Sequence, residues 1–113
     1  MTDEQVKQAK KLAGELFVLM QERIRDHWKK EDNVFLQTLA NDVAQQKILA
    51  EISDKPEEHL QNLRHLAATL NGEMVRKGLK IKTFRRKLFI EILTTIIKTV
   101  AVTVLKAAID KKK

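Results

Sequence analysis

Hydrophobic residues recur every three or four positions along most of this chain, the spacing that places them on one face of an α-helix. The pattern runs from Val6 to Ile24, again over residues 35–52, and again over residues 60–75. No segment shows two-residue alternation long enough to outline a sheet. The pattern therefore predicts an all-α protein, a small bundle of about four helices in which the C-terminal helix is the most apolar.

Polar segments between the apolar stretches predict the ends of the helices. The strongest is 53–58, where Pro56 suits a first helical turn and Ser53 or Asp54 could cap it. Thr2 or Asp3 could cap the first helix in the same way. Asn71 and Gly72 form a possible break in the third helix, since glycine weakens a helix interior. The predicted helices span residues 3–30, 34–52, 56–77 and 83–110, with Gly78 just beyond the third.

The fourth helix contains the most apolar segment of the chain. Of the 22 residues from Leu88 to Ile109, fifteen are Ala, Val, Ile, Leu or Phe. A helix of that length spans roughly 33 Å, enough to cross a hydrocarbon core. Lys98 opposes this, because a lysine at mid-bilayer costs roughly 2.5–3.5 kcal/mol. The many β-branched residues lower its helix propensity, so burial or lipid must stabilise it.

The charged residues of this segment indicate how it is covered. Lys87, Glu91, Lys98 and Lys106 lie on one narrow side of a helix, together with Thr94 and Thr95. A narrow polar side suits a helix that is surrounded by other helices, and we expect the fourth helix to be the most buried of the four. It also suits a helix at a lipid interface or one that drives self-assembly. A buried strand over residues 96–105 is disfavoured, because no second strand is available to pair with it.

Composition narrows the class of protein. The chain has 113 residues, which fits a single domain comprising three amphipathic helices over residues 1–78, then a basic connector and an apolar helix over 79–113. It has no cysteine, so disulfides and thiolate metal sites are excluded. Its first residues are acidic and polar rather than those of a secretory signal. We expect a cytoplasmic protein, with possible peripheral or C-terminal membrane association.

Charge is distributed unevenly along the chain. Residues 1–75 carry ten Lys/Arg and thirteen Asp/Glu, a net of −3, whereas residues 76–113 carry twelve and two, a net of +10. Such a basic region can bind anionic lipid headgroups or the phosphates of nucleic acid. The predicted anion-, lipid- or phosphate-binding residues are Arg76, Lys77, Lys80, Lys82, Arg85, Arg86 and Lys87.

The apolar arc of the fourth helix is the second predicted site. It would associate with a membrane surface or a partner protein after the cations have captured an anionic partner. A nucleic-acid accessory role and homo-oligomerisation are the alternatives. The predicted association surface consists of Leu88, Phe89, Ile92, Ile96, Ile97, Val100 and Val104.

Catalytic and metal-binding patterns are weak. Ser53 is the only serine, and the histidines His27, His59 and His65 lack the i,i+4 spacing of a helical metal site. There is no glycine-rich phosphate loop, and the Glu57–Glu58 pair suits a helix start. A DNA-recognition role for the third helix is disfavoured by its acidic exposed positions. The sequence predicts a non-enzymatic protein with no cofactor and no metal.

Overall fold

The computed structural model is an all-α bundle, as the hydrophobic spacing predicts. It describes residues 1–24, 33–77 and 83–111, and of residues 83–85 and 111 only the backbone. Four helices occupy these ranges, and no strand occurs in them. The helices are α1 (Asp3–Ile24), α2 (Asn33–Ile52), α3 (Pro56–Arg76) and α4 (Thr83–Lys111).

Hydrogen bonds at the helix ends show which of the predicted capping residues act as caps. At the start of α1 the Thr2 hydroxyl accepts a hydrogen bond from the Gln5 amide at 3.2 Å, and Gln5 Oε1 accepts one from the Thr2 amide at 2.8 Å. This reciprocal pair is a capping box, so Thr2 is the cap. At α3 the predicted cap is wrong. Lys55 occupies the N-cap position without a side-chain hydrogen bond, while the Ser53 hydroxyl accepts from the Lys55 amide within the turn.

The four helices enclose one common core, and they are arranged around it in the order in which they occur in the chain. α1 packs on α2, α2 on α3, α3 on α4 and α4 on α1. α2 also contacts α4 across the centre, whereas α1 and α3 scarcely meet. Short connections give consecutive helices opposite directions. The molecule is therefore an elongated antiparallel bundle of 46 × 25 × 23 Å.

The most central helix is α2, not α4 as expected. Eight of its 20 residues are buried, compared with seven of the described side chains of the longer α4. Ala40, Ala44 and Ala50 are among the eight, and their small side chains allow close approach of the neighbouring backbones. α4 instead buries one side only. Its buried residues are Phe89, Leu93, Ile96, Ile97, Val100, Ala101 and Val104.

The structure also decides two points that the sequence left open. α3 continues through Asn71 and Gly72 without a break. Residues 96–105 are helical within α4, which removes the strand alternative. The expected end of the first helix at residue 30 and Gly78 beyond the third lie outside the described residues.

Candidate functional site

One end of the bundle collects the predicted cations. The antiparallel order brings together the C-termini of α1 and α3 and the N-termini of α2 and α4. Gln21 Nε2 donates to Asn33 Oδ1 at 3.2 Å, which ties the first two helices there. Lys77 Nζ lies 5.7 Å from the centroid of the Phe35 ring, which joins α3 to α2. We call this the basic end, defined by the side chains of Arg76, Lys77, Arg86 and Lys87.

These four cations belong to the predicted set of seven. Arg76 and Lys77 close α3 and are exposed, whereas Arg86 is half-buried and Lys87 exposed in the first two turns of α4. Lys80, Lys82 and the side chain of Arg85 lie outside the described residues. The structure thus brings two separate stretches of the predicted cluster to the same end of the molecule.

The two cations at the end of α3 lie near acids of the protein itself. Arg76 Nη2 lies 2.7 Å from Glu73 Oε2, and 73% of the arginine side chain is exposed. An exposed pair of this kind contributes about 0–1 kcal/mol, so Arg76 can exchange partners at little cost. Burial raises the pKa of Asp42, which nearby Lys77 lowers and Glu73 raises. Lys77 therefore interacts with both the Phe35 ring and a carboxylate of α2.

The two cations of α4 occupy an electrostatically unfavourable position. The N-terminus of a helix carries a partial positive charge, and acids are the residues that stabilise it. The first turn of α4 contains no acid. Within the described part of the chain, Arg86 and Lys87 make no ion pair. Backbone dipole and side chains together concentrate positive potential at this end of α4.

Exposed apolar side chains accompany these cations. Val34, in the first turn of α2, is 75% exposed, and Val75, in the last turn of α3, is 55% exposed. Since α2 and α3 are antiparallel neighbours, both valines belong to the basic end. The hydrophobic spacing assigned Val75 to the buried stripe of α3, which is wrong, and it left Val34 outside the stripe of α2, so neither valine was predicted as a site residue. The basic end therefore presents both positive charge and apolar surface.

The predicted apolar association surface lies largely inside the protein. Phe89, Ile96, Ile97, Val100 and Val104 are between 0 and 8% exposed and belong to the common core. Leu88 and Ile92 are half-buried. In the folded bundle the five buried residues cover α1, α2 and α3, so an external partner would have to contact another side of α4. The apolar residues exposed on α4 are Val102, Leu105 and Ile109.

α4 also has the length and composition of a membrane span. The stretch Arg86–Asp110 meets both criteria, as buried helices of soluble proteins also can. Its most apolar part is only 39% buried within the bundle. α4 is therefore neither wholly enclosed by protein nor apolar on all sides.

A groove between α2 and α3 contains several of the remaining titratable side chains. It has a volume of about 260 Å³, and Asp42, His65 and Lys77 are among the residues that line it. Further along the same pair of helices, Gln46 Oε1 lies 2.9 Å from His59 Nδ1 and accepts from Asn62 Nδ2 at 3.1 Å. These contacts link two helices and give His59 a structural role. Among the described residues, no three or more metal-binding side chains cluster together.

Comparison with known proteins found no protein-family model, no curated protein and no solved structure that matches this chain.

Proposed function

We propose that this protein is a non-enzymatic interaction protein whose basic end associates peripherally with an anionic membrane surface. The proposal rests on one observation: cations and exposed valines lie together at one end of the bundle. Arg86 and Lys87 occupy a helix N-terminus, where the backbone dipole adds to their positive charge. Val34 and Val75 are exposed at the same end.

The valines favour a lipid surface over nucleic acid. Phosphate backbones offer charge but little apolar surface, and single strands are usually held by exposed aromatic rings. Phe35, the ring beneath Lys77, is 6% exposed and cannot stack on a base. A lipid headgroup region accepts both kinds of contact, because cations meet phosphates while small apolar side chains enter the interface.

Charge at the two ends of the bundle would orient the molecule. The opposite end carries both signs of charge, since Asp3, Glu4, Glu57 and Glu58 begin α1 and α3 while Lys55 and Lys106 are exposed at the same end. An anionic surface attracts the basic end, where cations predominate, more strongly than this mixed end. The long axis of the bundle would therefore stand perpendicular to the membrane surface, with α4 still packed in its bundle. Cytoplasmic membrane faces have the required negative charge, which supports a peripheral location there.

Vesicle flotation tests this proposal directly. The protein is mixed with vesicles of phosphatidylcholine alone or with added phosphatidylserine, at low and high salt. We expect binding only to the anionic vesicles, and its loss at high salt. Each Lys or Arg near such a surface contributes about 1 kcal/mol, so Arg86→Gln with Lys87→Gln should weaken binding about 30-fold.

A matched pair of lysines provides the control. Lys10 and Lys11 are exposed on the first half of α1, away from the basic end. Lys10→Gln with Lys11→Gln removes the same charge and should leave vesicle binding nearly unchanged. Equal losses in the two double variants would show that only net charge matters and would refute the basic end as a site. Tight binding to oligonucleotides without vesicle binding would instead favour the nucleic-acid function.

A further inference from the structure

The side of α4 that faces away from the bundle is unlike the exposed sides of α1 and α3. It runs along the helix on the side opposite the buried core residues and is exposed throughout. We call it the outer face of α4. It is defined by Glu91, Thr95, Lys98, Val102, Lys106 and Ile109.

The composition of this face is not explained by the fold of one chain. Threonine and valine are poor helix formers, and an exposed helix surface in water favours Glu, Lys or Gln. Val102 is nevertheless 51% exposed, and Leu105 and Ile109 beside it are 42% and 50% exposed. By contrast, the exposed positions of the last three turns of α1 include only one large apolar residue, Val18.

The threonine hydroxyls on this side of α4 donate their hydrogen bonds within the helix and do not depend on water as an acceptor. Thr95 Oγ1 donates to the Glu91 carbonyl at 2.8 Å, and Thr99 Oγ1 donates to the Thr95 carbonyl at 2.9 Å. Thr103 repeats the bond to Thr99 at 3.0 Å. With the hydroxyl protons already donated within the helix, covering this surface leaves no threonine donor unsatisfied.

We propose that the outer face of α4 pairs with the same face of a second copy, with the two helices antiparallel. The order of charges along α4 selects this direction. In a parallel pair each charged residue would face its own copy, so Glu91 would oppose Glu91 and Lys106 would oppose Lys106. Like charges at an interface cost free energy, which disfavours that arrangement.

Reversing one helix converts these repulsions into attractions. A two-fold axis between residues 98 and 99 sets Glu91 of one copy at the height of Lys106 of the other. The same axis sets Thr95 of one copy opposite Val102 of the other. Symmetry repeats each contact, so two pairs of opposite charge flank a centre that contains threonine and valine. The surface is thus complementary to itself in one direction only.

Lys98 is the residue that opposes the pairing. Near the two-fold axis it approaches its own copy, and its ammonium group must extend to the edge of the interface. Its presence keeps the predicted dimer moderate in affinity. Lys98→Gln should therefore tighten the dimer, which a surface without a partner has no reason to do.

The proposed pairing is tested by exchanging charged residues. Dimer formation by each variant is measured by sedimentation velocity over a range of concentrations. Glu91→Lys and Lys106→Glu should each weaken the dimer about tenfold, because each change reverses two symmetric pairs. The double variant should restore the dimer. Within one chain these residues are fifteen positions apart, about 22 Å along the helix, so the rescue must act between copies.

The double variant is also the control for an effect of Arg23 within one chain. It lines a shallow groove together with Glu91, so Glu91→Lys alone also places two cations near each other within one chain. Circular dichroism and thermal unfolding establish that each variant remains folded. If adding Lys106→Glu to Glu91→Lys restores the dimer, the loss caused by Glu91→Lys arises from the contact between copies and not from Arg23.

Two valines of equal exposure locate the interface. Val18 on α1 and Val102 on α4 are both 51% exposed. Val102→Arg should weaken the dimer by more than about tenfold, whereas Val18→Arg should leave it unchanged. A chain that stays monomeric at every concentration overturns the proposal. A dimer insensitive to Val102→Arg, or one that the double charge exchange does not restore, overturns it equally.

Discussion

Four threonines on α4 show how the surroundings of one side chain decide its effect on stability. Thr95, Thr99 and Thr103 are exposed, and each hydroxyl donates to the carbonyl four residues earlier. Thr94 is half-buried, and its Oγ1 is shielded from solvent without a hydrogen-bond partner among the described residues. The sequence places Thr94 on the polar side of the helix, but its neighbours in the bundle cover it. A buried hydroxyl without a partner destabilises the folded state.

Thr94→Val should therefore stabilise the protein. Valine has nearly the same shape and removes the unsatisfied hydroxyl, so the free energy of unfolding should rise by about 1 kcal/mol. Chemical denaturation followed by circular dichroism measures this change. Thr95→Val is the control, since its hydroxyl is exposed and already bonded within the helix, and its effect should lie within about 0.5 kcal/mol. Similar gains in both variants would mean that helix propensity, not burial, causes the effect.

At the scale of the helix, local signals predict boundaries better than they predict burial. The starts of α3 at Pro56 and α4 at Thr83 agree with the predicted ones, because start signals such as proline act within a single turn. The centrality of α2 was not predicted, although its apolar content is no lower than that of the other helices. It depends on alanines that allow close packing, and a search for large hydrophobic residues undervalues them. Gly72 was a possible break in α3, but the helix continues across it, with Leu70 and Met74 buried on either side.

Gly72→Ala should stabilise α3. Gly72 is exposed, and a Cβ added there meets no atom within 4 Å, so alanine adds helix propensity without a clash. We expect the free energy of unfolding to rise by about 0.5–1 kcal/mol in a denaturant titration. Gly14→Ala in α1 has equally open surroundings and should give a similar gain. A gain at Gly14 together with a loss at Gly72 would indicate that α3 is not helical at this point in solution.

At the scale of the whole molecule, the two sides of α4 have different roles. Its inner side completes the core, while its outer side is exposed and repeats apolar and β-branched residues. Length and composition alone would equally suit a membrane span. The packing of α4 on α1, α2 and α3 accounts for its buried residues without lipid. Its exposed residues are the ones left for an external partner.

Two isoleucines of α4 test whether this packing exists in solution. Ile97 is 0% exposed and Ile109 is 50% exposed. Ile97→Ala should lower the free energy of unfolding by about 2–5 kcal/mol, because it leaves a cavity in the core. Ile109→Ala should change it by no more than about 0.5 kcal/mol at concentrations where the chain is monomeric. Equal effects would mean that α4 does not pack in the bundle with this face inward.

The sequence alone determined the helical class and most helix ends, because periodicity and capping act over a few neighbouring residues. It also determined the polar side of α4, since Glu91, Lys98 and Lys106 are exposed as their spacing predicts. Only the tertiary structure decided that α2 is central and that most of the apolar arc of α4 is core. It also brought Val34 and Val75 to the end that carries Arg86 and Lys87. These outcomes depend on contacts between distant segments, and a local pattern does not specify which face meets which helix.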